Sequence, residues 1–381
     1  MDVQLDEEQQ LLRDTARDFL EAECTMDVVR ARMDDPHSFA GGLWKQMAEL
    51  GWLGLHVPDE HGGAGLDLVT LSLVLEQLGR VLAPTPYLAT ALVAPGVITH
   101  FGSGGQRADW LPSLASGEWR VSLGHLGSAA TEARWDAAGC GLEGTIAGDK
   151  LRLSGAAHFV QDGLTATHLL VSCRLAGAPG GLGLALVHAE QPGIERRAIG
   201  LNEKTRGWAE IRFRDVAVRA AALVGGTDRG ADAFAYGLDL ARTGLAAELA
   251  GAGRKVLEAS VEYAKNREQF GQPIGQFQAI AHKCANMMVA VESMSSAATY
   301  AAWSVGSDEP DARTSACLAK SFCSDAYTRV AGDGIQVHGG LGFTWEQDLH
   351  LYFKHAKAAE FLYGSNHALR EIAAKDLIDD A

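Results

Sequence analysis

The hydrophobic period of this chain changes twice, and that double change limits the possible folds more than any other feature. Up to about residue 118 the apolar residues keep a helical spacing. Leu5, Leu11, Leu12, Phe19 and Leu20 approximate one stripe, and similar patterns run through 43–50, 66–82 and 88–101. Gly62-Gly63, Pro84 and Gly102 punctuate them. Between about 119 and 222 the period shortens. Apolar runs at 168–173 and 182–188 are bounded by Gly and Pro. Ile211, Phe213, Val216 and Val218 approximate alternation, with Arg212 and Arg214 on the other face, which predicts short antiparallel strands. From about 223 to 381 helical spacing returns through 234–264, 277–303, 312–337 and 361–377. Long helices with short connections predict a four-helix bundle. A doubly wound sheet would alternate strand and helix throughout, so that class is excluded. The expectation is an α+β chain: an N-terminal helical domain (1–118), a central small β-barrel or sheet domain (119–222) and a C-terminal four-helix bundle (223–381).

Composition narrows the function. With 381 residues, 47% of them hydrophobic, the chain can fill several cores. Thirty-three basic against 48 acidic residues give a formal charge of −15, opposite to the basic field of a general nucleic-acid binder. The start, Met1 to Glu8, has neither a basic nor an apolar run, which predicts no secretory leader. No stretch approaches the ~18 apolar residues of a spanning helix. Six cysteines without a CxxC pair predict a reduced, cytoplasmic setting with no disulfide framework or zinc site.

Three glycine-containing segments invite a chemical reading. His61-Gly62-Gly63-Ala64-Gly65 lacks the Lys and the spacing of a P-loop, and reads as a turn between helices. His338-Gly339-Gly340-Leu341-Gly342 follows a helix. It is either a helix end or a place where backbone approaches a cofactor pyrophosphate. Arg267-Glu268-Gln269-Phe270-Gly271 closes the first long helix of the third region. Guanidinium plus aromatic suits a phosphate joined to a flat ring, while the plainer reading has Arg267 complementing the helix dipole. His338, His350, His355 and His367 crowd the last third without HExxH, so no metal is expected, and no GxSxG elbow supports Ser/His/Asp chemistry.

In order along the chain, three segments together resemble the acyl-CoA dehydrogenases. They are Leu50-Gly51-Trp52-Leu53-Gly54 through Gly65, Tyr263-Ala264-Lys265-Asn266-Arg267 through Ile274 with Phe277-Gln278-Ala279-Ile280, and Gln336-Val337-His338-Gly339-Gly340-Leu341-Gly342-Phe343. The resemblance covers nearly the whole length. It implies the same α, β, α order, and FAD held at a dimer interface within a tetramer. Carried over by position, it implies that Arg267, Gln269 and Phe270 meet the FAD of a neighbouring subunit. Gln278 would hold the adenine side, and Gln336, Gly339 and Gly340 would approach the pyrophosphate. Ser365 and His367 stand where the family usually has Thr and Gln near FAD. Two flavin segments depart from the family: 122–128 replaces a Thr-Glu-Pro loop, leaving Gly124, His125 and Gly127 as candidates. Phe159-Val160-Gln161 replaces a Trp-hydroxyl pair, with Phe159 to pack and Gln161 to hydrogen-bond.

The family reaction needs a desolvated carboxylate to take the α-proton of an acyl thioester, such as an acyl-CoA, while the β-hydrogen leaves as hydride. Both usual base positions lack an acid here: Tyr363 occupies one and Ala241 the other. Glu248 lies two helical turns after Ala241, on the same face and among Leu245, Ala246, Ala247, Leu249 and Ala250. Burial there would raise its pKa, as a base requires; the alternative is a structural pair with an Arg. Asp239, Glu360 and Tyr363 itself fit less well, by face, register and ordinary pKa respectively. Arg242 matches an Arg near the acyl or CoA portion, or forms an ion pair within the bundle; Arg206 is equally open.

The leading expectation is FAD-dependent α,β-dehydrogenation of an acyl thioester, with electrons passed to an acceptor such as an electron-transfer flavoprotein. The chain would act alone through Glu248 or in a homo- or hetero-tetramer with a base-bearing partner. It resembles the base-deficient subunits of heteromeric dehydrogenases through 342–346 and 348–353. A flavin oxidase or monooxygenase, and a subunit that has lost its flavin, are the alternatives.

Overall fold

The computed structural model describes residues 5–128 and 134–379. Met1 to Gln4, part of the segment read as no leader, lie outside them.

Local signals in the sequence place the first helices. α1 (Glu7–Glu23) starts at a capping box in which Asp6 accepts from the Gln9 amide at 2.7 Å and Gln9 answers to the Asp6 amide. α2 (Met26–Arg30) and α3 (Gly41–Glu49) follow. α4 (Leu68–Arg80) is capped by Asp67, whose carboxylate accepts from Thr70 N at 2.7 Å. A π-helical turn at Leu88–Val93 runs into α5 (Ala94–Phe101). α6 (Gly104–Ala115) has no counterpart in the sequence reading. Two glycines and an internal Pro112 hide it, yet a Ser103/Gln106 capping box starts it.

The middle of the chain forms one sheet of eight strands. They are β1 (Val121–Gly124), β2 (Leu142–Ala147), β3 (Lys150–Gln161), β4 (His168–Leu175), β5 (Leu182–His188), β6 (Ile194–Ala198), β7 (Trp208–Arg219) and β8 (Leu223–Val224). Their order is β6-β7-β3-β2-β4-β5-β8, with β1 also against β4. The expectation of a purely antiparallel sheet is corrected: β4 runs parallel to both β1 and β2. The reason lies in β3, which outruns β2 and shifts register twice before the chain turns back into β4 along the direction of β2. Apolar alternation reports which face is buried and carries no strand direction.

The third region is helical. α7 (Gly230–Asn266) has 37 residues, a span of about 55 Å. A short hairpin, β9 (Glu268–Gln269) and β10 (Gln272–Pro273), leads into α8 (Gln278–Gly306) and α9 (Ala312–His338). Two helices follow where one was expected. α10 (Leu349–Ala359) is additional, and α11 (Asn366–Asp379) begins at 366 rather than 361. Between them Tyr363 and Gly364 take positive φ values of 57° and 118°, which no helix accommodates.

α7 and α4 cross with almost no space between backbones. A Cβ at Gly251 would lie 1.8 Å from Glu76 O, and one at Gly79 would lie 1.9 Å from Glu248 O. This contact fixes the height of Glu248 against the N-terminal helices.

Candidate active site

All three regions meet at one narrow cavity of about 10 Å³, roughly the room one water needs. Leu88 comes from the N-terminal helices. Leu123, Phe159, Gln161 and Asp162 come from the sheet, and Tyr363 from the loop between α10 and α11. Phe159 sits at a register shift of β3 with φ 54°, and is 48% exposed. The kink turns its ring to the pocket side, with Gln161 beside it.

Arg206 organises the buried end. Its Nη2 lies 3.4 Å from Glu248 Oε1, its Nη1 lies 3.6 Å from Asp162 Oδ2, and Nη1 also donates to Thr85 O. Glu248, Asp162 and Arg206 are all nearly inaccessible. Burial pushes Glu248 up to about 7; Arg206 opposes the shift and Asp162 adds to it. Burial likewise raises Asp162 to about 6, against the pull of Arg206 and with a push from Glu203. One guanidinium thus serves two carboxylates that repel each other. Glu203 is held separately, accepting from Trp208 Nε1 at 2.8 Å and Thr205 N at 2.6 Å.

Glu248 therefore combines both readings of its sequence context, an ion pair with an arginine and a carboxylate with raised pKa. It stands behind Arg206, whereas Asp162 and Arg206 line the pocket. Asp162 was missed at the sequence level. The signal available was its position immediately after Gln161.

The loop at Tyr363 is clamped by two cations. Arg242 donates from Nε to Tyr363 O at 3.1 Å and from Nη1 to Asp239 Oδ1 at 3.0 Å. Lys320, fully buried on α9, donates to Gly364 O at 2.6 Å and Glu360 O at 3.0 Å. Burial and the nearby Arg242 push Lys320 down to about 7. Asp239 is engaged by Arg242, and Glu360 by Lys357 and Thr328. Tyr363 is buried, with its phenol raised by burial and by the Glu248 and Asp162 charges. Ala241, the other usual base position, is buried in α7.

His125 is built into the sheet. Its ring stacks between Trp135 and Phe234, with Nδ1 2.6 Å from Ser172 Oγ and Nε2 3.1 Å from Arg134 O. Burial pushes it down to about 4. Ser365 Oγ accepts from Ala368 N at 3.3 Å in the first turn of α11, where His367 is exposed.

The remaining candidates gather at one end of the bundle. Ala264, Ile274 and Val337 form a small core there, and Tyr263 stacks on His338 at 4.2 Å. This joins the β9–β10 hairpin to the end of α9, so Arg267, Gln269, Phe270 and Gln278 share a face of the fold with Gln336, Gly339 and Gly340. All seven are exposed. Phe270 and Gly271 both have positive φ, 54° and 80°, forming a tight hairpin turn that leaves the Phe270 ring 92% exposed. The glycines differ in their reason. A Cβ at Gly342 would lie 2.6 Å from Ile335 O, whereas one at Gly340 would meet nothing within 4 Å. The chain's own packing requires the first and not the second. Guanidinium, amides, an open aromatic and bare backbone fit the anionic, flat FAD.

The N-terminal domain model of the acyl-CoA dehydrogenases matches residues 6–118, and their C-terminal domain model matches 228–378. The chain belongs to the acyl-CoA dehydrogenase family. As a member it is an FAD-dependent oxidoreductase. It is 31% identical to the probable acyl-CoA dehydrogenase YngJ of Bacillus subtilis, over 99% of this chain and 100% of that one. The butyryl-CoA dehydrogenase of Megasphaera elsdenii superposes with a TM-score of 0.90 at 26% identity, over 99% and 100% of the two chains. The ChsE4–ChsE5 complex of Mycobacterium tuberculosis gives 0.90 at 28% identity, over 99% of each chain. No helix among the described residues is long and apolar enough to cross a membrane.

Proposed function

We propose that this acyl-CoA dehydrogenase family member removes the α- and β-hydrogens of an acyl thioester bound in the pocket between β3, Arg206 and the Tyr363 loop. The observation that carries the reading is the buried carboxylate cluster on Arg206, which supplies the acid–base group missing at Tyr363 and Ala241. Glu248 is the member of that cluster which the sequence nominates as base. FAD, when bound, supplies the acceptor for the hydride. Arg267, Gln269, Phe270 and Gln278 hold the FAD of an adjoining subunit, and Gln336, Gly339 and Gly340 leave room for its pyrophosphate. Phe159 and Gln161 pack and hydrogen-bond at the ring side, and His125, Ser365 and His367 are the further flavin contacts. Arg242 serves the substrate by holding the Tyr363 loop. The assembly is a tetramer in the cytoplasm, and an electron-transfer flavoprotein reoxidises it.

The test is to purify the chain with FAD, exclude oxygen and add a panel of acyl-CoA thioesters. Bleaching of the flavin supports the reading. Reduced flavin that reacts rapidly with oxygen favours an oxidase instead. A second reading keeps the pocket but draws a base from a partner chain. It is favoured by the absent acids at 241 and 363 and by likeness to a chain of the ChsE4–ChsE5 complex. Under it, flavin stays oxidised until the partner is added.

A further inference from the structure

We propose that Asp162 is the catalytic base that meets the substrate, and that Glu248 acts through Arg206 as a positioning residue sharing its proton. This deepens the dehydrogenase reading and rests on it. Three observations carry it. Asp162 lines the pocket beside Phe159, Gln161 and Tyr363, while Glu248 lies on the far side of the guanidinium. Asp162 is held in a left-handed backbone conformation, φ 57°, with its amide donating to Gly207 O at 2.7 Å, so its carboxylate is fixed at the end of β3. Arg206 is committed on both arms, to Asp162 and Thr85 through Nη1 and to Glu248 through Nη2.

The charged groups around Asp162 are Arg206, Glu203 and Glu248, with the neutral Tyr363 phenol beside them, and beyond Arg206 lie His355 and Cys24. Two buried carboxylates on one guanidinium would carry a net negative charge if both ionised. Burial therefore retains one proton in the pair near neutral pH. With that proton on Glu248, Asp162 is free to act. In the step, the Cα–H bond breaks and the proton bonds to an Asp162 oxygen. The electron pair left at Cα forms the Cα=Cβ bond as the Cβ hydrogen departs with its own pair, the two electrons that FAD takes up.

The test uses the FAD-loaded protein, with Asp162→Asn and Glu248→Gln as near-isosteric changes. Asp162→Asn should slow anaerobic flavin bleaching at least about a hundredfold with FAD still bound. Glu248→Gln should slow bleaching far less than Asp162→Asn does and move the acid limb of its pH profile lower, because Arg206 then serves Asp162 alone. Adding Tyr363→Glu to Asp162→Asn should restore part of the rate, which a merely misfolded variant would not show. Wild-type rates in Asp162→Asn overturn the proposal, as does abolition in Glu248→Gln with only a pH shift in Asp162→Asn; both leave the dehydrogenase reading standing. If no thioester bleaches the wild type, that reading fails, and infrared titration of the carboxyl groups still decides the pair. A Glu248 titration that moves in Asp162→Asn supports proton sharing, and one that stays fixed overturns it.

Discussion

The two ends of this molecule that bear on chemistry are built by opposite rules. At the bundle end, Arg267, Phe270, Gln278 and Gly340 lie exposed, and the fold gains little from them. At the pocket, Asp162, Arg206 and Glu248 are buried and hold one another. Changes to the first set should have little effect on folding, because these residues are exposed. The second cannot be changed without disturbing both folding and the pocket. A surface that waits for a ligand keeps its groups unsatisfied, whereas a buried acid–base group must be solvated by the protein itself.

That contrast can be broken in four places. Arg206→Met removes the shared cation and should cost about 3–5 kcal/mol in urea unfolding. Both carboxylates have raised folded pKa values, so their burial is least costly when protonated. The loss should therefore be larger at pH 8 than at pH 5, and equal losses would show that the carboxylates are not stranded together. Gly251→Ala forces a Cβ to within 1.8 Å of Glu76 O and should cost about 1–3 kcal/mol by separating α4 from α7. It should also shift the pH profile of bleaching, since Glu248 moves with that seam.

Lys320→Met leaves carbonyls of the Tyr363 loop unpaired, a cost of about 1–3 kcal/mol. Burial depresses the folded pKa of Lys320 to about 7, so its contribution to stability grows as pH rises from there toward the ordinary lysine range. Comparing unfolding at pH 7 and pH 9 should show that rise in the wild type and a flatter response in the variant. Arg267→Ala and Gly340→Ala should change the melting temperature of the apoprotein least of all, yet lower FAD occupancy after gel filtration. Unchanged occupancy would remove these two residues from the flavin site.

The sequence exposed these regions unequally, and for physical reasons. The α, β, α order is legible because period alone separates helix from strand. α6 escaped because Gly104, Gly105 and Pro112 argue against a helix that its tertiary packing supports. The parallel pairing of β4 escaped because apolar alternation is blind to direction. The bundle-end residues fall in two short motifs, 267–278 and 336–340, each legible in the sequence, and the small core at Ala264, Ile274 and Val337 brings the two together. Glu248 stood out as an acid among Leu and Ala, and the structure buries it beside Arg206. Asp162 and Arg206 sit at strand ends in separate segments. Only the packing of the sheet against α7 brings them to Glu248.

Arg242 and Lys320 bind the carbonyls of one short loop from two different helices. The Tyr363 side of the pocket is therefore an anvil, fixed from behind by donors that no incoming acyl chain touches. The other side of the pocket is less fixed: there the half-exposed Phe159 ring rides on a kinked strand. Under the proposed dehydrogenase reading, that ring is the part of the wall with most freedom to yield.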